Sequence, residues 1–229
     1  MAQMALPLKV ADFATFDSFV GVGNEEAVAA LSAIAGGAGG NAFVWGPPAT
    51  GKTHLMQAIC AAAADRAAYV PLRALGELGP EAIDGLASRD VVCIDDLDQV
   101  AGDAPWELGL FRLYNDIIGR NGSVVVAASS APRECAIDLN DLASRLSHLP
   151  VYRLAPLDDE GRAEALKQRA AKRGLDLPDE TARYLMTHTR RDMTSLHAVL
   201  ERLDAEALQA QRRLTVPFVK EVLSRGDSD

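Results

Sequence analysis

The stretch that most restricts this chain is Gly46-Pro47-Pro48-Ala49-Thr50-Gly51-Lys52-Thr53, set between the apolar run Ala42-Phe43-Val44-Trp45 and the segment His54-Leu55-Met56-Gln57-Ala58-Ile59-Cys60. The order reads as strand, glycine-bounded loop and helix, with the G-x-x-x-x-G-K-[ST] spacing of a phosphate-binding loop. Gly46 and Gly51 permit backbone angles that turn several amide N–H groups toward one phosphate, and a helix opening near Lys52 aims the positive end of its dipole at the same point. Pro47 and Thr50 complete the loop, Lys52 reaches the β- and γ-phosphates, and Thr53 supplies a ligand to Mg²⁺. An ordinary strand-to-helix turn with a fortuitous lysine accounts for the string less well, because the flanking pattern is the context such a loop requires.

A second cluster supports the first. Asp90-Val91-Val92-Cys93-Ile94-Asp95-Asp96 is a buried-type strand that ends on two carboxylates, and apolar strands rarely finish on paired acids unless something positive or hydrated waits there. In a sheet shared with the phosphate loop, Asp95 would hold the Mg²⁺ shell and Asp96 would orient the attacking water, whereas the bland reading makes them two solvated turn acids. Ser123-Val124-Val125-Val126-Ala127-Ala128 is another buried strand with Ser129 at its carboxyl end. Ligands gather at such ends in open α/β sheets, so Ser129 either touches the γ-phosphate or its water, or caps the following turn. Phe19 and Val20, upstream of the loop, either lie beside a nucleotide base or belong to the core.

The remaining pattern sets the architecture. Asn24 reads as the cap of a helix running to about Ala35 that buries Val28, Leu31 and Ile34, ended by Gly36-Gly37-Ala38-Gly39-Gly40. Strands are expected at Ala68–Leu72 and Val151–Leu154, and helices at Pro80–Ala87, Pro105–Arg120 and Asp141–Leu146. The Pro105–Arg120 helix presents Trp106, Leu110, Leu113 and Ile117 on one face. Alternating strands and helices in this order mean a parallel sheet sandwiched by helices, an α/β fold. Beyond Pro156 four helices follow, Asp158–Arg173, Asp179–His188, Asp192–Gln211 and Val216–Ser224, with Arg190-Arg191 at the start of the longest. The expected divisions are a tail at 1–12, an α/β core at 13–155 and a small all-helical domain at 156–229.

Composition narrows the setting. Hydrophobic residues make up 48% of the 229, enough for a substantial core, yet no apolar run reaches the roughly 18 residues of a membrane span. The amino end lacks a basic region followed by an apolar block. Three cysteines, an odd number with two in apolar segments, read as reduced packing residues of a cytoplasmic chain. A net charge of −9 argues against gripping nucleic acid over a broad face. The tail Gln3-Met4-Ala5-Leu6-Pro7-Leu8 is either a packed or disordered terminus or an extended peptide whose leucines enter a partner's pockets.

The phosphate loop, Ile94-Asp95-Asp96, the strand-end Ser129, the Ser144-Arg145-Leu146 helix and the four closing helices together resemble an AAA+ ATPase with a helical lid. Within that class, Thr15-Phe16-Asp17-Ser18-Phe19-Val20-Gly21 and Ile94-Asp95-Asp96 are similar to the DnaA initiator branch. Asp141 to Leu146, Leu214 to Leu223 and Gln3 to Leu8 resemble the Hda family, regulatory inactivators of DnaA, and the likeness covers nearly the whole chain.

The resemblance implies that the N-terminal peptide, through Gln3, Met4, Leu6, Pro7 and Leu8, binds the DNA polymerase III sliding clamp (β subunit). Met4 stands where leucine is usual, a volume-conserving exchange. It further implies that Arg145 is an arginine finger for a neighbouring DnaA molecule and that Arg191 contacts nucleotide from the lid. Ser129 departs from the Asp or Asn common at that position, which predicts weak hydrolysis at this chain's own site. The chain ends at Asp229, directly after the last lid helix, so no DNA-reading domain is expected to follow. These points imply a clamp-loaded adaptor that promotes hydrolysis of DnaA-bound ATP while its own site holds ADP or ATP; a homo-oligomer is compatible with it. The competing expectations are a self-contained ATPase and an initiator accessory protein or helicase loader.

Overall fold

The computed structural model describes residues 14–189, 193–210 and 212–226. Gln3, Met4, Leu6, Pro7, Leu8 and Arg191 therefore lie outside the described residues. The chain divides between Ala155 and Pro156 into two compact units.

The first unit is built on five parallel strands, β1 (Ala42–Trp45), β2 (Ala67–Pro71), β3 (Val91–Asp95), β4 (Ser123–Ala128) and β5 (Val151–Arg153). Their spatial order is β2-β3-β4-β1-β5. Every residue of β3 and β4 is buried, which is why these segments read as continuous apolar runs rather than alternating ones. Successive side chains still point to opposite faces, and the core splits accordingly. Phe43, Val92, Ile94, Val124 and Val126 join one cluster, whereas Val44, Val91, Cys93, Val125 and Ala127 join the other.

Helices cover both faces. The α1 helix (Glu25–Ala35) and α2 (Lys52–Ala63) contribute Leu31, Ile34, Leu55, Met56 and Ile59 to the second cluster. The short α3 (Leu72–Leu75), α4 (Ala104–Gly119) and α5 (Asn140–Ser147) supply Leu72, Trp106, Leu110, Leu113, Ile117, Leu142 and Leu146 to the first. The four residues expected on the inner face of α4 are all buried there, and the Asp103 carboxylate accepts from the Trp106 N–H at 3.1 Å to cap its start.

Two expectations are corrected. The helix foreseen over Pro80–Ala87 is instead a pair of 3₁₀ turns, Pro80–Ile83 and Leu86–Ser88, interrupted by Gly85 at φ +79°. Asn24 precedes α1 as foreseen, but its side chain makes no capping bond. The amide is spent on Ala155, accepting from its N–H at 2.8 Å and donating to its carbonyl at 3.2 Å. Asn24 thus fastens the entrance of the unit to the residue where the unit ends.

The second unit holds α6 (Asp159–Lys172), α7 (Asp179–His188), α8 (Met193–Ala210) and α9 (Val216–Gly226) around its own core of Leu166, Leu185, Leu200, Leu203, Phe218 and Val219. Asp158 caps α6 by accepting from Gly161 N–H at 2.8 Å, and the buried Thr181 hydroxyl donates to the Leu214 carbonyl at 3.1 Å. No helix among the described residues is long and apolar enough to cross a membrane, and Cys60, Cys93 and Cys135 are free thiols.

Replacing Asn24 with Ala leaves two backbone groups of Ala155 without their partner. The expected outcome is a loss of about 2 kcal/mol of stability, read as a lower urea midpoint with an unchanged slope.

Candidate functional site

The strand order decides where chemistry can occur. Because β3, β4 and β1 are adjacent and parallel, with Trp45 paired to Ala128 and Ile94 to Val126, their carboxyl ends emerge side by side. The phosphate loop, the Asp95-Asp96 pair and Ser129 are thereby brought to one edge of the sheet, where open α/β folds hold their ligands.

Within the loop the two glycines are demanded by close contacts. A Cβ on Gly46 would stand 2.7 Å from the Leu154 carbonyl oxygen, and one on Gly51, already at φ +92°, would stand 2.5 Å from the Phe19 ring. Ala49 also takes a left-handed conformation, φ +63°. The Thr50 hydroxyl donates to the Pro47 carbonyl at 3.0 Å, and the Lys52 ammonium donates to Gly46 and Pro47 carbonyls at 2.7 and 3.0 Å. Burial lowers the Lys52 pKa from its usual value, opposed by Asp95, Asp96 and Asp98. Helix α2 begins at Lys52 with no side-chain cap, so its leading N–H groups are offered to an anion. A phosphate chain fits this donor set.

Phe19 packs on the loop and beside the second core cluster, with its ring centroid 5.6 Å from that of His54. His54 Nε2 lies 2.9 Å from the Thr15 carbonyl, so the 3₁₀ turn Phe16–Ser18 is latched onto the first turn of α2. Val20 is half-buried beside this turn.

Asp95 is only 1% exposed. Its carboxylate accepts from the Tyr69 hydroxyl at 2.9 Å and the Asp96 N–H at 3.1 Å, and the Thr53 hydroxyl bonds to it as well. Burial nonetheless raises its pKa above the ordinary carboxylate range. Burial, reinforced by the Asp95 charge, drives the Tyr69 phenol well above its usual value. The two residues assigned to metal from the sequence, Thr53 and Asp95, are thus in contact. A hydroxyl and one carboxylate suit Mg²⁺, which keeps several waters and takes further oxygens from phosphates.

Asp96 follows in a left-handed conformation, φ +57°, and its carboxylate receives Arg73 Nε at 2.9 Å. Ser129 is engaged elsewhere than on the loop: its N–H and hydroxyl donate to one oxygen of Asp98 at 2.7 and 2.9 Å. Arg145 projects from α5. Leu142 and Leu146 are the buried face of that helix and Arg145 is exposed; no hydrogen bond or ion pair holds its guanidinium among the described residues.

Tyr69, Arg73 and Asp98 were not foreseen. Their roles depend on β2 lying beside β3, with Pro71 paired to Asp95, and on the path of the turn after Asp96. The one available signal was the paired acids themselves, which require donors from somewhere.

Comparison with known proteins finds two partial family matches and several similar folds. Residues 159–223 match the family model described as Hda, lid domain, and residues 11–73 match the bacterial DnaA ATPase domain. The fold is similar to domain III of the Thermotoga maritima replication initiation protein DnaA, with a TM-score of 0.81 and 21% identity over 95% of this chain and 98% of that one. It is also similar to AMPPCP-bound DnaA from Aquifex aeolicus, TM-score 0.66 and 23% identity over 82% of this chain; the chain spans 63% of that protein. The Thermotoga maritima RuvB Holliday junction branch migration motor matches with a TM-score of 0.66 and 19% identity over 92% of this chain and 71% of that one. The lid match and the match across the phosphate loop relate those two parts of the chain to Hda and to DnaA, and the five-stranded parallel sheet flanked by helices, followed by a helical unit, is an AAA+-like fold.

Proposed function

We propose that this protein is a cytoplasmic, sliding-clamp-associated regulator that binds ADP or ATP with Mg²⁺ and stimulates hydrolysis of ATP held by DnaA, so lowering initiation of DNA replication. The observation that carries this reading is Arg145: an exposed guanidinium with no partner among the described residues, on a helix anchored by Leu142 and Leu146. Entering a neighbour's nucleotide site, such a cation stabilises charge developing on the transferring phosphoryl group. The Hda-type lid match favours DnaA as that neighbour.

At its own site the protein would hold nucleotide through Gly46, Pro47, Thr50, Gly51, Lys52 and Thr53, with Phe19 and Val20 flanking, Arg191 contacting it from the lid, and Thr53 and Asp95 holding Mg²⁺. Asp96 and Ser129 complete the catalytic assignment. Gln3, Met4, Leu6, Pro7 and Leu8 would engage the β subunit of the DNA polymerase III clamp. A second reading, a self-contained ATPase acting as initiator accessory or helicase loader, is favoured by the complete Lys52, Thr53, Asp95 and Asp96 set. Steady-state turnover by the isolated chain, abolished in Lys52→Ala, would support it.

Three outcomes are expected. Tyr69→Phe removes one donor to Asp95 and weakens the Mg²⁺-dependent increment of ADP binding about fivefold, leaving Mg²⁺-free binding unchanged in calorimetry. Combined Gln3→Ala and Leu6→Ala substitution abolishes clamp binding in surface plasmon resonance while nucleotide binding persists. In a reconstitution with DnaA carrying labelled ATP and clamp loaded on DNA, Arg145→Ala lowers stimulated conversion to ADP by about 10³-fold; conversion at the unsubstituted rate would show the finger assignment to be wrong.

A further inference from the structure

We infer that Glu107 is a positioning residue for Arg145, fixing the start of helix α5 from the first turn of α4. The inference rests on the reading that Arg145 acts on a neighbouring nucleotide site.

Glu107 lies on the inner side of α4 and is 1% exposed. A buried carboxylate is strongly disfavoured unless donors surround it, and here all three partners are backbone N–H groups. One oxygen accepts from Gly102 at 2.8 Å and from Asp138 at 3.0 Å, and the other accepts from Leu139 at 2.7 Å. Asp138 and Leu139 are the two residues immediately before α5, Leu139 being its N-cap position.

That placement matters because α5 has no cap of its own. Leu139 cannot accept a backbone N–H through its side chain, and no side-chain capping bond is present. The connection from β4 to α5 is irregular and is tethered near its two ends by carboxylates from elsewhere: Asp98 takes the N–H and hydroxyl of Ser129, and Glu107 takes the N–H groups of Asp138 and Leu139. Glu107 also sits near the N-terminus of α4, where the helix dipole favours a negative group. The anchor is therefore stiff at its base, and it sets the azimuth of the short helix that projects Arg145. Leu142 and Leu146 hold α5 against the core; the carboxylate defines where the helix begins. Sub-ångström to ångström displacement of a charged group aimed at a transferring phosphoryl lowers rate far more than affinity.

The test uses the full chain in the DnaA reconstitution, titrating Glu107→Gln, Glu107→Asp and Arg145→Ala. Glu107→Gln keeps the side chain's shape but turns an N–H donor toward one of the backbone donors; Glu107→Asp keeps the charge but is one methylene too short to reach all three. For Glu107→Gln we expect the maximal rate of DnaA-bound ATP conversion to fall roughly 100-fold, while the half-saturating concentration of the regulator, its ADP affinity and its clamp binding stay within about twofold. Amide hydrogen exchange across residues 138–146 should accelerate in the same variant. If Glu107→Gln does not fold, Glu107→Asp is read by the same rates. A maximal rate equal to that of the unsubstituted protein in a folded Glu107 variant, with Arg145→Ala inactive, overturns the positioning role alone. A fully active Arg145→Ala overturns the underlying reading and this inference together. A rise in the half-saturating concentration at full maximal rate assigns Glu107 to docking and likewise overturns it.

Discussion

A carboxylate at the end of a fully buried strand must be matched by donors, and the working edge of this sheet is arranged around Asp95. Isolated burial of that charge is heavily unfavourable, and burial holds its carboxyl above the ordinary carboxylate range even with donors around it. The donors come from three separate places: Tyr69 in β2, Thr53 in α2 and the N–H of Asp96 just beyond β3. The seating of α2 on the sheet and of β2 beside β3 is thereby coupled to one side chain. Asp96 adopts a left-handed backbone, which aspartate tolerates better than most residues, and this ends the strand while turning its N–H back to Asp95.

What the sequence made legible follows from how local each determinant is. The phosphate loop, the buried strands and the inner face of α4 depend on residues within a dozen positions of one another, so spacing alone exposes them. The parallel sheet followed by a helical unit was readable from the alternation of patterns for the same reason. Tyr69, Arg73, Asp98 and Glu107 escaped because each acts across the fold, on Asp95, Asp96, Ser129 and the residues before α5. Nothing in a single chain states that β2 is the neighbour of β3. Asn24 shows the same limit differently: its type and position suit a helix cap, but a pair of bonds to Ala155, 131 residues away, takes the amide. Gly85 was the local signal against a helix over 80–87, since its left-handed backbone breaks the run.

A common device runs through these long-range contacts. The connections that carry chemistry are not held by sheet ladders or helical bonds, yet their backbone N–H groups still find acceptors. Side-chain oxygens supply them: Asp98 for Ser129, Glu107 for Gly102, Asp138 and Leu139, and Asn24 for Ala155. Each such acceptor is anchored on or beside regular structure, so a loop acquires a fixed path without becoming an element itself.

The two cations at the centre of the functional reading are treated in opposite ways. Lys52 is buried, depressed in pKa and folded onto two loop carbonyls, so a phosphate must replace bonds the lysine already makes, and its affinity is the difference between two satisfied states. Arg145 is exposed and has no such bond among the described residues. An exposed guanidinium adds little to stability, and it gives up only its hydration when it enters another site. Arginine loses that hydration more readily than lysine. In the proposed reading the first cation serves retention of a nucleotide and the second serves transfer, because a guanidinium with no bond of its own to break meets a neighbour's phosphoryl group at the cost of its hydration alone.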